Sequence, residues 1–154
     1  MNQEVRTETT VQHSNDTEWR AGVVAGLLAA AVMGVLLTIQ MPDTIGVAIP
    51  SMYGLRGLLA GWVVHLVHGA VLGLVFAAVA GPLGVARSTG RSLALGVAYG
   101  VVVWALLAVL VMPVWLSAVG SPANPPLPNV NVKSLIGHVA YGAVLGGTFP
   151  SLSR

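Results

Sequence analysis

Between residues 21 and 41 the chain runs for a full membrane thickness without a charged side chain. A helix needs about 20 mostly apolar residues to cross a hydrocarbon core of ~30 Å. Further apolar stretches follow at about residues 57–80, 92–112 and 134–152. Only His65 and His68 interrupt the second with polar chemistry. The fourth holds His138, Pro150 and several glycines, so it needs neighbours to be stable. Backbone in lipid must satisfy its own hydrogen bonds, and no alternating pattern suggests a barrel, so the stretches read as helices. The expected fold class is an all-α membrane protein with four transmembrane helices.

Charge explains what such a chain leaves out. Only 8% of its 154 residues are charged and 55% are apolar, against roughly 25% charged in soluble domains. Glu4, Glu8, Asp16 and Glu18 lie in the first twenty positions, and Asp43 is the one other acid. Catalysis by paired carboxylates therefore has no material in the membrane body. Without cysteine there is no thiolate nucleophile or disulfide framework. A net charge of +2 with no basic patch gives no support for nucleic-acid binding. Residues 1–20 are polar and mixed in charge, and are expected to form a disordered tail ahead of one membrane domain over 21–154.

The two halves of that domain echo one another. His65-Leu-Val-His68-Gly69-Ala-Val-Leu-Gly73 matches His138-Val-Ala-Tyr141-Gly142-Ala-Val-Leu-Gly146 at an offset of 73. Met41-Pro42 matches Met112-Pro113 at 71, and Pro50 matches Pro122 at 72. This order predicts a duplication, with repeat one at about 21–80 and repeat two at about 92–152. Each unit is a helical hairpin, so the copies are parallel repeats related by an axis along the membrane normal. Proline removes a donor and clashes with the preceding turn. Both Met-Pro pairs are therefore expected to end helices, leaving 42–56 and 113–133 as loops.

Lys and Arg give the orientation. Arg6, Arg20, Arg87, Arg91 and Arg154 fall on the side of the termini, and Arg56 and Lys133 on the other. The positive-inside tendency then puts both termini of a multi-pass cell-membrane protein in the cytoplasm. Trp62, Trp115 and Tyr53 read as interfacial anchors.

Small residues recur every four positions. Gly22, Gly26 and Gly34 mark the first helix, and Gly61, Gly69 and Gly73 the second. Gly96 and Gly100 mark the third, and Gly142 and Gly146 the fourth. Four residues turn through about 400°, so each stripe keeps to one face. Such stripes let helix backbones approach closely where lipid removes the hydrophobic drive to associate.

His65 and His138 lie inside these stripes and face protein. Three readings of them stand side by side. Each imidazole can bond a neighbouring carbonyl or hydroxyl and fix packing. The pair can ligate a haem b between helices, with glycines making room. Or they can line a path for protons or a small solute, with His68 and Tyr141 as secondary polar groups. A closed zinc site lacks carboxylate or thiolate partners.

The repeated His-x-x-[His/Tyr]-Gly-Ala-Val-Leu-Gly motif, the Met-Pro pairs and the acidic tail resemble small membrane proteins of halophilic archaea over about residues 21–153. The resemblance implies topology and no established activity. Some such proteins carry the label of sensor histidine kinase, but these 154 residues are not expected to hold an ATP-binding domain. The expected function is that of a non-enzymatic accessory or helix-packing protein with no cofactor. Its partners are the lipid bilayer and a homo-oligomer or larger membrane complex.

Overall fold

A computed structural model describes residues 2–154, with side chains from Thr17 onward. The tail expected over residues 1–20 lies, up to residue 16, outside the residues whose side chains are described. Every element is helical: α1 (Asn2–Gln40), a π-helical turn (Thr44–Ala48) running into α2 (Ile49–Ser51), and α3 (Leu58–Ala80). A 3-10 turn (Val85–Arg87) leads to α4 (Thr89–Val103), a π-helical stretch (Trp104–Val111), α5 (Met112–Ala118) and finally α6 (Val132–Leu152). α4, the π stretch and α5 form one continuous helix over Thr89–Ala118. Among the described residues, Thr17–Gln40, Leu58–Ala80 and Thr89–Ala118 are long and apolar enough to cross a membrane.

The long helices pack antiparallel in the order α3, α1, α6, α4. Glycine decides the two outer contacts. A methyl at Gly26 would strike the Gly69 carbonyl oxygen and approach the Gly73 Cα at 2.9 Å. A methyl at Gly96 would strike the Gly142 carbonyl oxygen and approach the Gly146 Cα at 2.8 Å. Gly73 meets the Gly22 carbonyl as Gly146 meets that of Ser92. The two pairs, α1 with α3 and α4 with α6, thus make the same contacts in the same register, with Gly22 and Gly26 in the places of Ser92 and Gly96.

α1 and α6 meet through larger groups, with Met33 3.5 Å from where a methyl on Gly137 would sit. α3 and α4 touch mainly through side chains. Tyr99 donates to the Leu72 carbonyl (2.8 Å), and its ring lies edge-on to Phe76. Phe76 and Phe149, 73 residues apart, cross at 90° with centroids 5.4 Å apart. Both are fully buried. The arrangement departs from a twofold-symmetric ring because α1 and α6 are flush while α3 and α4 diverge.

α6 is enclosed: none of its residues from Gly137 to Pro150 is exposed. A helix walled by protein need not be apolar all round. That is why this stretch is the least lipid-like in the sequence.

The prolines correct the expected helix ends. Pro113 does not stop its helix, which runs on to Ala118. The π stretch widens the turn ahead of it, and Met112 donates to the Leu107 carbonyl, five residues back. Pro113 has no N–H for the next carbonyls, Ala108 five back or Val109 four back. Asn129 supplies both donors. Its backbone N–H bonds the Val109 carbonyl (3.0 Å) and its side-chain Nδ2 the Ala108 carbonyl (3.3 Å). The segment after Pro42, expected as loop, repeats this device. Ile49 donates to the Thr44 carbonyl, Pro50 follows, and Gly57 donates to the Gly46 carbonyl (3.2 Å). The Ile45 carbonyl lies against Gly61, where a methyl would take its place.

Both segments end in the same reversal. Leu55 bonds back to Pro50 and Gly54 to Ser51, as Ser121 does to Leu116 and Gly120 to Ser117. Gly54 (φ 70°) and Gly120 (φ 65°) take the left-handed conformation this cap requires. By structural role, then, Pro113 corresponds to Pro50 and not to Pro42, which the sequence pairs with it.

Candidate polar site of the membrane helices

The sequence singles out His65, His138, His68 and Tyr141, and each is found in a different bond. His65 is 7% exposed on α3, and its Nε2 lies 3.0 Å from the Ala30 carbonyl oxygen of α1. A carbonyl only accepts, so Nε2 carries the hydrogen. The ring also lies edge-on to Trp62, which packs on Gly34 rather than standing clear as an anchor. His138 turns to its own helix, with Nδ1 donating to the Ser134 carbonyl (2.8 Å). Its Nε2 is left as the basic nitrogen.

Tyr141 and His68, also 73 residues apart, differ more. Tyr141, 2% exposed, donates to the Gly69 carbonyl (2.8 Å) and ties α6 to α3. His68, its counterpart, faces outward and shares a 2.6 Å hydrogen bond with the Tyr53 hydroxyl. Tyr53 lies between His68 and Trp115, with ring centroids 5.6 and 6.4 Å away. Trp115 donates to the Met52 carbonyl (3.0 Å), fixing the α2 end against α5. The structure thus spreads the four candidates over four separate contacts.

That geometry tests the haem arrangement. Axial ligation needs a bare ring nitrogen, normally Nε2, steadied by an Nδ1–H bond. His138 has this form. His65 has the reverse, because its Nε2 is committed to Ala30. A bis-histidine site would require His65 to give up the bond that joins α3 to α1. Among the described residues, no group of three or more His, Cys, Asp or Glu is placed to hold a metal ion.

Asn129 escapes sequence reasoning: it is one polar residue in a proline-rich connection. The signal that finds it is Pro113 within an apolar run, because a proline there leaves carbonyls that need a donor from elsewhere. Trp104 stands at the start of the same π stretch. Its Nε1 is shielded and meets no acceptor among the described residues.

A family model spans residues 17–154, nearly the whole chain. The chain belongs to DUF6789, a family of unknown function. No curated protein and no solved structure matches it. DUF6789 membership and the apolar helices together fit an integral membrane protein, and within this DUF6789 chain the glycine contacts and carbonyl-capping side chains are its most specific features.

Proposed function

We propose that this DUF6789 protein is a non-enzymatic, four-span membrane protein built from two duplicated hairpins, and that it serves as an accessory or packing partner in a homo-oligomer or larger complex. One observation carries the reading: polar side chains between the helices bond backbone carbonyls, with Ser92 Oγ and Trp104 Nε1 the buried exceptions among the described residues. His65 bonds Ala30, His138 bonds Ser134, Tyr141 bonds Gly69, Tyr99 bonds Leu72 and Asn129 bonds Ala108. His65, Tyr141 and Tyr99 so engaged hold helices together, and side chains committed to carbonyls leave little to act on a substrate. The matching contacts of Gly26 with Gly69 and of Gly96 with Gly142 support the duplication. Enclosure of α6 between α1 and α4 supports a fourth span despite its lower hydropathy. Both termini are cytoplasmic in this reading.

Mild extraction from native membranes, followed by mass measurement and identification of co-purifying chains, tests the role. An assembly larger than one chain is expected. A lone monomer without a partner would overturn it. The absorbance spectrum of the same preparation separates the rival haem reading. No Soret band is expected, whereas a band lost in His65→Ala would replace the packing account with a redox one.

A further inference from the structure

The end of α1 and the start of α6 enclose a groove of about 510 Å³ that no part of the packing account uses. Gln40, Met41, Pro42, Asp43 and Thr44 form one wall, and Val130, Asn131, Val132 and Lys133 the other. Its place is the edge of the membrane, since Gln40 is the last residue of a candidate span.

The walls have opposite charge. Asp43 is the only acid after residue 18. It stands at the N-cap of the π turn, yet its side chain caps nothing. Lys133 faces it with a single weak bond from Nζ to the Gln40 carbonyl, at 3.4 Å. Asn131 already caps α6 through the amides of Lys133 and Ser134, so the lysine ammonium is the cationic group that remains. The lining also has apolar side chains: Val130 and Val132 are 66% and 68% exposed.

We infer that this groove binds a membrane phospholipid, with the phosphate on Lys133 and a hydrogen-bond-donating head group on Asp43. An ammonium side chain holds phosphate as a point charge. A carboxylate is acceptor-only, so it selects heads that donate, whether by hydroxyl or primary ammonium, and gains no hydrogen bond from a fully methylated one. The exposed valines give an acyl chain an apolar surface beside the charged pair, which favours a lipid over a free solute. The inference uses the membrane setting of the chain and not its proposed accessory role.

The test is native mass spectrometry of the full chain released from nanodiscs that mix phosphatidylglycerol, phosphatidylethanolamine and phosphatidylcholine in equal amounts. The wild type should retain the glycerol or the ethanolamine lipid at least several-fold over the choline lipid, and whichever leads names the head. Asp43→Asn should reduce that discrimination several-fold, and Asp43→Glu should keep it. Lys133→Gln should lower retention of all three alike. Both side chains are exposed, so the variants should keep the wild-type circular dichroism. Equal retention of the three lipids by the wild type, a ratio unmoved by Asp43→Asn, or total retention unmoved by Lys133→Gln, would overturn the inference.

Discussion

At the scale of single residues, an amide and a proline belong to one device. Asn129 is useful because Pro113 is present: one removes donors from the Ala108 and Val109 carbonyls, and the other returns them. Leaving a buried acceptor unpaired costs about 1–3 kcal/mol. Asn129→Ala should destabilise the protein by that order in reversible unfolding from mixed micelles. In a Pro113→Ala background the helix regains its own N–H, so the same substitution should cost clearly less. A double-mutant cycle with no coupling would remove the device. His65 and His138 were legible in the sequence as polar groups facing protein. Their partners were not, because a carbonyl acceptor leaves no mark on residue identity.

At the scale of elements, glycine spacing carried much of the information. Periodicity of four identified the faces of α1, α3, α4 and α6 that approach other backbones. Gly57, four residues ahead of Gly61, is not part of such a face: it sits at φ 89° ahead of α3 with open space around it. Helix ends were the less legible part. Met41-Pro42 and Met112-Pro113 look alike in sequence, yet one interrupts a helix and the other lies inside one. The difference is π geometry and a donor more than a dozen residues downstream, both long-range effects. Gly26→Val and Gly96→Val should each cost at least about 1–3 kcal/mol, because the backbone opposite has nowhere to move. Gly147→Ala meets open space, and should be neutral or stabilising by up to about 1 kcal/mol through helix propensity. Thermal unfolding in one detergent would rank the three, and equal effects would refute close backbone contact as their cause.

At the scale of the whole molecule, the absence of cysteine makes topology directly measurable. Single cysteines at Ser88, Ser121 and Ser153 report the α3–α4 turn, the long connection and the C-terminal end. With α6 spanning, Ser88→Cys and Ser153→Cys should label from one side of sealed vesicles and Ser121→Cys from the other. Labelling of positions 121 and 153 from the same side would show that α6 does not cross. Composition told where apolar helices lie. It did not tell their order, in which α1 and α6 occupy the middle and α3 and α4 the flanks, because that order depends on which faces fit.

The enclosure of α6 also bears on how the protein is made. A segment with a histidine, two serines and a proline is a poor candidate to leave the insertion machinery for bare lipid on its own. In the four-span reading it emerges from the ribosome after α1, α3 and α4. α1 and α4 are then already in the bilayer to receive it, the glycines of α4 forming a berth fitted to its backbone. The least lipid-soluble of the four long helices thus enters a site that the earlier ones have prepared.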